Sequence, residues 1–184
     1  MRFFILIVVI LNLIACQSAR VAARSYTAAA PPATADFQAL AAAVRELGPE
    51  VSAREAKILA KMALKSVEEA RRRHRMGGGA IPRNLAVNLG LAEWGLCWHW
   101  TEWLGRPLAA RRFRTLELRW GCAFRGSPWR EHNAVVVTAR GQPFNKGLVL
   151  DPWRKSGRLT WVPVHGDRFP WEHDLAAEAR WRGE

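Results

Sequence analysis

The chain has no apolar stretch long enough to cross a bilayer as a helix. The unbroken run Phe3 to Leu11, FFILIVVIL, is short of the about 20 residues such a helix needs. It has no internal repeat, which excludes a solenoid or propeller. Cysteine is scarce, with three residues in 184, which excludes a disulfide-dense scaffold. Cys97-x-His99 has no second ligand cluster to complete it, so a zinc site is poorly supported. Acidic residues are few, 16 against 28 Lys and Arg, giving a formal net charge of +12. A surface this basic favours anionic partners.

The N-terminus reads as a processing signal. Arg2 precedes the Phe3–Leu11 run, and Leu13-Ile14-Ala15-Cys16 follows it. This is the charged, apolar and small-residue order of an export signal peptide, expected over residues 1–15. The L-I-A-C tetrad resembles the bacterial lipobox. That resemblance implies diacylglyceryl transfer to the Cys16 thiol, then acylation of its amine, and two or more chains anchor stably. An ordinary signal peptide with an incidental cysteine is the plainer alternative. Gln17 is not the Asp that often signals inner-membrane retention, which leans the expectation toward the periplasmic face of the outer membrane.

Residues 16–35 read as the lipidated cysteine and a flexible tether rich in Ala, Ser and Pro. Residues 36–184, 149 in all, suit one domain with a real core. Loss of 1–15 removes Arg2 and no acid, leaving +11 on the side chains. For an exported lipoprotein the accessible anions are membrane headgroups and envelope polymers rather than nucleic acid. The densest basic cluster, Arg71-Arg72-Arg73-His74-Arg75, falls at a helix end, where it complements the macrodipole.

Asp36 is expected to cap a helix over 37–47, stopped by Gly48-Pro49. Ser52 with Glu55 forms a capping-box pattern and opens a long helix over 52–76, closed by Gly77-Gly78-Gly79. Its apolar stripe is Val51, Ile58, Leu59 and Met62. Gly90 and Gly95 break the next segment, and Cys97–Leu104 reads as a short helix stopped by Gly105 and Pro107. Strands are expected over 112–123, 132–139, 147–151 and 157–164. Helices first and antiparallel strands second make an α+β fold with helices on one face of a sheet.

Cys97 follows a helix-breaking Gly95 in W-G-L-C-W. A thiol at a helix start feels the positive end of the dipole, and its thiolate is favoured. Gly95 would allow close approach of backbone and substrate. The Cys97 N–H would be free to face an oxyanion. His99 lies two residues on and points away, His74 sits in the basic cluster, and His165 and His173 fall in loops. His132 opens the apolar strand HNAVVV and is the best base. Asp151 ends the strand GLVLD. A hairpin of 132–139 with 147–151 would bring Asp151 beside His132 as its orienting acceptor.

Gly95-Leu96-Cys97-Trp98, His132 opening a strand, and Val149-Leu150-Asp151-Pro152, in that order, resemble the transglutaminase-like branch of the papain-like cysteine enzymes. The resemblance covers residues 80–165, about half the chain. It implies a papain-like core, a Cys97–His132–Asp151 triad, and acyl transfer at peptide or amide bonds through a thioester, with no metal or organic cofactor. The sequence departs from the family where His132-Asn133-Ala134-Val135 lacks an aromatic residue shortly after the histidine. The upstream oxyanion donor is open among Asn84, Asn88 and Trp94.

Trp94, Trp98, Trp100 and Trp103 crowd the nucleophile helix, and core filling accounts for most such residues. Trp98 and Trp153 flank the triad and are the candidates for stacking on substrate. The leading expectation is a lipid-anchored cysteine hydrolase or acyltransferase at the cell envelope. The first alternative is a non-catalytic module that holds envelope polymers on a basic, Trp-rich surface. The second is a structural lipoprotein stapled by a Cys97–Cys122 disulfide.

Overall fold

The computed structural model describes residues 34–182. The expected signal peptide, Cys16 and most of the expected tether lie outside the described residues. Thr34 and Ala35, expected in the tether, are the first two residues of a helix.

Helices come first: α1 (Thr34–Arg45), α2 (Ala53–Arg73), α3 (Ala80–Asn88) and α4 (Cys97–Ala110). Strands follow: β1 (Leu116–Ala123), β2 (His132–Ala139), β3 (Leu148–Asp151), β4 (Thr160–Pro163) and β5 (Trp171–His173), with a short α5 (Leu175–Ala179) after them. The strands form one antiparallel sheet in the order β4-β3-β2-β1-β5. The expected α+β layout is the observed one. Among the described residues no helix is long and apolar enough to cross a membrane.

Ser52 caps α2, its side chain accepting the Glu55 N–H. The capping box does not close. Ser52 N–H donates to Thr115 Oγ1, and the Glu55 carboxylate accepts from the Arg114 and Thr115 N–H groups and from Thr115 Oγ1. The start of α2 is thereby fastened to the chain entering β1. The buried face of α2 also differs from the expected stripe: Ala56, Leu59, Ala60, Ala63, Leu64, Val67 and Ala70 are buried, while Ile58 and Met62 are only half-buried. The alanines allow neighbouring helices to approach closely. Asp36 lies within the first turn of α1 rather than capping it.

α4 runs six residues beyond its expected end, through both stop signals. Gly105 lies inside the helix, and the Trp181 ring occupies the space a side chain would need, 2.0 Å from an added Cβ, which accounts for the glycine. Pro107 cannot donate to the Trp103 carbonyl one turn back. That carbonyl instead accepts from Ser66 Oγ of α2 at 3.5 Å. Cys97, Trp100, Thr101, Leu104, Gly105 and Leu108 make its buried face.

The sheet is apolar on both sides. Val135, Val137, Leu148 and Leu150 belong to the helix-side core with Trp100, Leu104 and Trp120. Ala134, Val136, Val149 and Trp171 form a second, smaller core. β1 begins at Leu116, four residues later than expected, and β4 is limited to Thr160–Pro163. α3 and β5 had no counterpart in the sequence reading.

Candidate active site

Cys97 is the first residue of α4. As such its N–H has no intrahelical acceptor. Gly95 adopts φ 136°, and a Cβ there would meet Arg83 Cγ at 2.6 Å. The glycine makes room for Arg83, whose guanidinium donates to the Trp94 and His74 carbonyls. His99 Nδ1 accepts from the Gly95 and Leu96 N–H groups at 3.0 and 3.1 Å, so this ring caps α4. Burial and the nearby His74 lower its pKa, consistent with an accepting, neutral imidazole.

His132 opens β2 and Asp151 ends β3. Val135 lies opposite Leu150, which makes His132 a diagonal neighbour of Asp151 on one face of the sheet. His132 Nε2 and Asp151 Oδ2 are 2.6 Å apart, with both side chains almost fully buried. The other ring nitrogen, Nδ1, is buried and has no hydrogen-bond partner within normal distance. The ring is walled by Trp153, Phe169 and Trp171, at centroid distances of 4.6, 5.4 and 5.5 Å.

The thiol meets the start of β2. Cys97 Sγ lies 3.9 Å from the Glu131 carbonyl and 3.8 Å from the Asn133 amide nitrogen. Burial alone would raise the Cys97 pKa. Interaction with His132, helped by the Asn133 N–H and side-chain amide, outweighs burial and lowers it. Burial likewise opposes protonation of His132, but Asp151 and Cys97 together raise it to about 9. Both directions favour a thiolate–imidazolium pair.

Asp151 holds more than the histidine. Its Oδ1 accepts from the Trp153 N–H at 2.9 Å, and its Oδ2 accepts from Arg154 Nε at 2.6 Å. Arg154 in turn forms a two-pronged pair with Asp167, and Trp171 Nε1 donates to Asp167 Oδ2 at 2.8 Å. Arg154 and Asn133 are site residues that the sequence reading missed. Arg154, three residues after an L-D-P turn in a basic chain, carries no distinguishing local signal. Asn133 could have been noticed as a polar residue inside an otherwise apolar strand.

The three open oxyanion candidates have these surroundings. Asn84 Oδ1 accepts from Trp153 Nε1 at 2.9 Å, Asn88 is exposed on α3, and Trp94 stacks on His74 at 4.2 Å. Trp153 lies against His132 as expected of a residue flanking the triad. Trp98 is 42 % exposed and packs on His99 at 3.9 Å. It faces a cavity of 610 Å³ between α2 and α4, lined also by Trp94, Trp103, Glu69 and Glu102 and by no triad residue.

His173 lies in β5 rather than a loop, with Nε2 2.6 Å from Glu178 Oε2. Cys97 and Cys122 are both free thiols, not a disulfide. Burial, reinforced by Glu131, pushes Cys122 up to about 11, which keeps it protonated and unreactive. Among the described residues no group of three or more His, Cys, Asp or Glu converges as metal ligands. No protein-family model, no curated protein and no solved structure matches the chain.

Proposed function

We propose that the chain is a cysteine-dependent acyl-transfer enzyme, transglutaminase-like with a papain-like core, acting on peptide or amide bonds. The carrying observation is the buried 2.6 Å hydrogen bond between His132 and Asp151 beside a helix-start cysteine whose ionisation His132 favours. The Cys97 thiolate attacks the substrate carbonyl carbon, and the Cys97 N–H supports the oxyanion. His132 delivers its proton to the leaving amine as the C–N bond breaks, leaving a thioester. Water or a second amine, deprotonated by His132, then attacks the thioester and releases the thiolate. Asp151 keeps Nε2 protonated and Nδ1 directed to the reaction. Trp153 and Trp98 are the proposed substrate contacts. In the same proposal an acylated Cys16 holds the enzyme at the envelope, on the periplasmic face of the outer membrane.

The alkylation rate of Cys97 against pH tests this, in the full chain carrying Cys16→Ser and Cys122→Ser. A thiolate forming well below the free-cysteine value of about 8.5 is expected, moving upward in His132→Ala. An ordinary thiol indifferent to His132 would overturn the reading. The cavity lined by Trp94, Trp98 and Trp103 favours a second reading, a non-catalytic module that binds envelope polymers there.

A further inference from the structure

α3 is built inside out. Arg83 and Asn84 lie on its inward side, donating to the His74 and Trp94 carbonyls and accepting from Trp153 Nε1. Its long aliphatic residues point to solvent: Ile81 is 76 % exposed, Leu85 58 % and Leu89, at the C-cap, 63 %. A spacing of four keeps these three on one stripe of the helix. Leu91, 78 % exposed, follows in the next turn. No residue of α3 is buried, so core packing does not explain this choice of side chains. Exposed aliphatic residues grouped this way mark an interaction surface.

The charge of the segment that leads into α3 bears on the choice of partner. From Ala70 to Ala92 the chain holds five arginines and no acidic residue. Four of them, Arg71, Arg72, Arg73 and Arg75, stand at the end of α2, which Arg83 ties to α3 through the His74 carbonyl at 2.9 Å. Arg72, Arg73 and Arg75 are exposed. Apolar side chains for the acyl boundary beside arginines for phosphate headgroups are what an interfacial helix presents to an anionic bilayer. Arg71 and Arg72 share Glu68 at 3.6 and 4.0 Å, while Arg73 and Arg75 have no ion pair among the described residues, a surplus of positive charge that a purely apolar protein partner would not require.

We propose that the Ile81–Leu85–Leu89 face of α3, with the arginines at the end of α2, docks on an anionic lipid bilayer. The proposal rests neither on acyl transfer by Cys97 nor on acylation of Cys16. Docking would also set the triad beside the membrane, because Asn84 holds Trp153 and Trp153 packs on His132.

Hydrogen–deuterium exchange of the full-length chain tests the proposal, with phosphatidylcholine vesicles alone or mixed with phosphatidylglycerol. An exposed helix of this length exchanges readily, so docking is expected to slow residues 80–91 about ten-fold. The slowing should appear with the anionic vesicles only and be lost in Leu85→Glu/Leu89→Glu. Both side chains are exposed, so that variant should keep its Tm and the exchange pattern of the sheet. If its Tm falls, loss of the slowing in wild type at high salt serves instead. Unchanged exchange at 80–91 while the chain still sediments with vesicles would overturn the proposal and place the contact elsewhere on the chain. So would equal slowing on neutral vesicles, or slowing without lipid that rises with protein concentration, the mark of a second copy.

Discussion

His132 and Arg154 bond the same oxygen of Asp151, each at 2.6 Å. The carboxylate thus divides its negative charge between an imidazole and a guanidinium, and Arg154 passes its other nitrogens to Asp167. Removing the guanidinium should leave Asp151 wholly to His132 and raise the imidazole further. Arg154→Gln is therefore expected to move the upper limb of the pH–rate profile to higher pH. It also leaves the almost fully buried Asp167 carboxylate without its cation, at a cost of about 3–5 kcal/mol. Arg154→Gln/Asp167→Asn should recover much of that stability while keeping the shifted pH limb. Urea unfolding and pH–rate profiles on wild type and the two variants separate the two effects. An unshifted limb in both would show that Arg154 only braces the loop.

The Cys97–His132 couple sets a pH window. Acyl transfer needs thiolate and imidazolium together, so its rate should rise through the lowered Cys97 pKa and fall as pH passes about 9. Stability carries its own signature. The folded pKa of His132 lies above its unfolded value of about 6.5, so the stability it contributes is complete below that value. It is lost as pH rises through about 9. The stability gap between wild type and His132→Gln should accordingly be wider at pH 6 than at pH 9.5, as measured by denaturant midpoints. A gap that widens with pH would contradict a raised imidazole.

Which parts of this site were legible depended on how local their signals are. Cys97, His132 and Asp151 each stand at the end of an element, where composition and punctuation are informative. HNAVVVTA also spans β2 as observed. The misses are long-range. Gly105 and Pro107 read locally as helix stops, but Trp181 packs against Gly105 and Ser66 bonds the carbonyl that Pro107 leaves open, contacts distant in sequence that no local pattern shows. β5 has three residues, too few for an alternating pattern, and exists because Gly121 to Ala123 offer it an edge. α3 escaped notice because its aliphatic face is not directed at the core. Arg154 acquires its role only when the turn after Asp151 folds back on Asp167.

Glu55 is a test of the fold away from the site. Its carboxylate accepts three hydrogen bonds from residues 114 and 115, joining α2 to the chain that enters β1. Burial opposes the charge, but Thr115 and the two N–H groups outweigh it, and the pKa is lowered. Its contribution is thus present above its unfolded value of about 4.3 and lost as pH falls through the folded one. Glu55→Ala should cost about 2 kcal/mol at neutral pH. Glu55→Gln should lose part of this, and both gaps should shrink on acidification. Thermal unfolding across that range checks the sign.

Asn133 offers the sharpest separation of chemistry from packing. Its Oδ1 accepts from Trp120 Nε1 at 2.7 Å, and its Nδ2 faces Cys97 Sγ at 3.8 Å. Asn133→Ala removes both and leaves a buried indole N–H without its acceptor, at about 1–3 kcal/mol. Asn133→Asp keeps an acceptor for Trp120 but places negative charge where the amide had favoured the thiolate. It should unfold closer to wild type than Asn133→Ala does, yet raise the Cys97 pKa and slow alkylation at neutral pH. If Asn133→Asp instead left the alkylation profile unmoved, the amide would serve Trp120 alone and the ionisation of Cys97 would rest on His132 and the helix start.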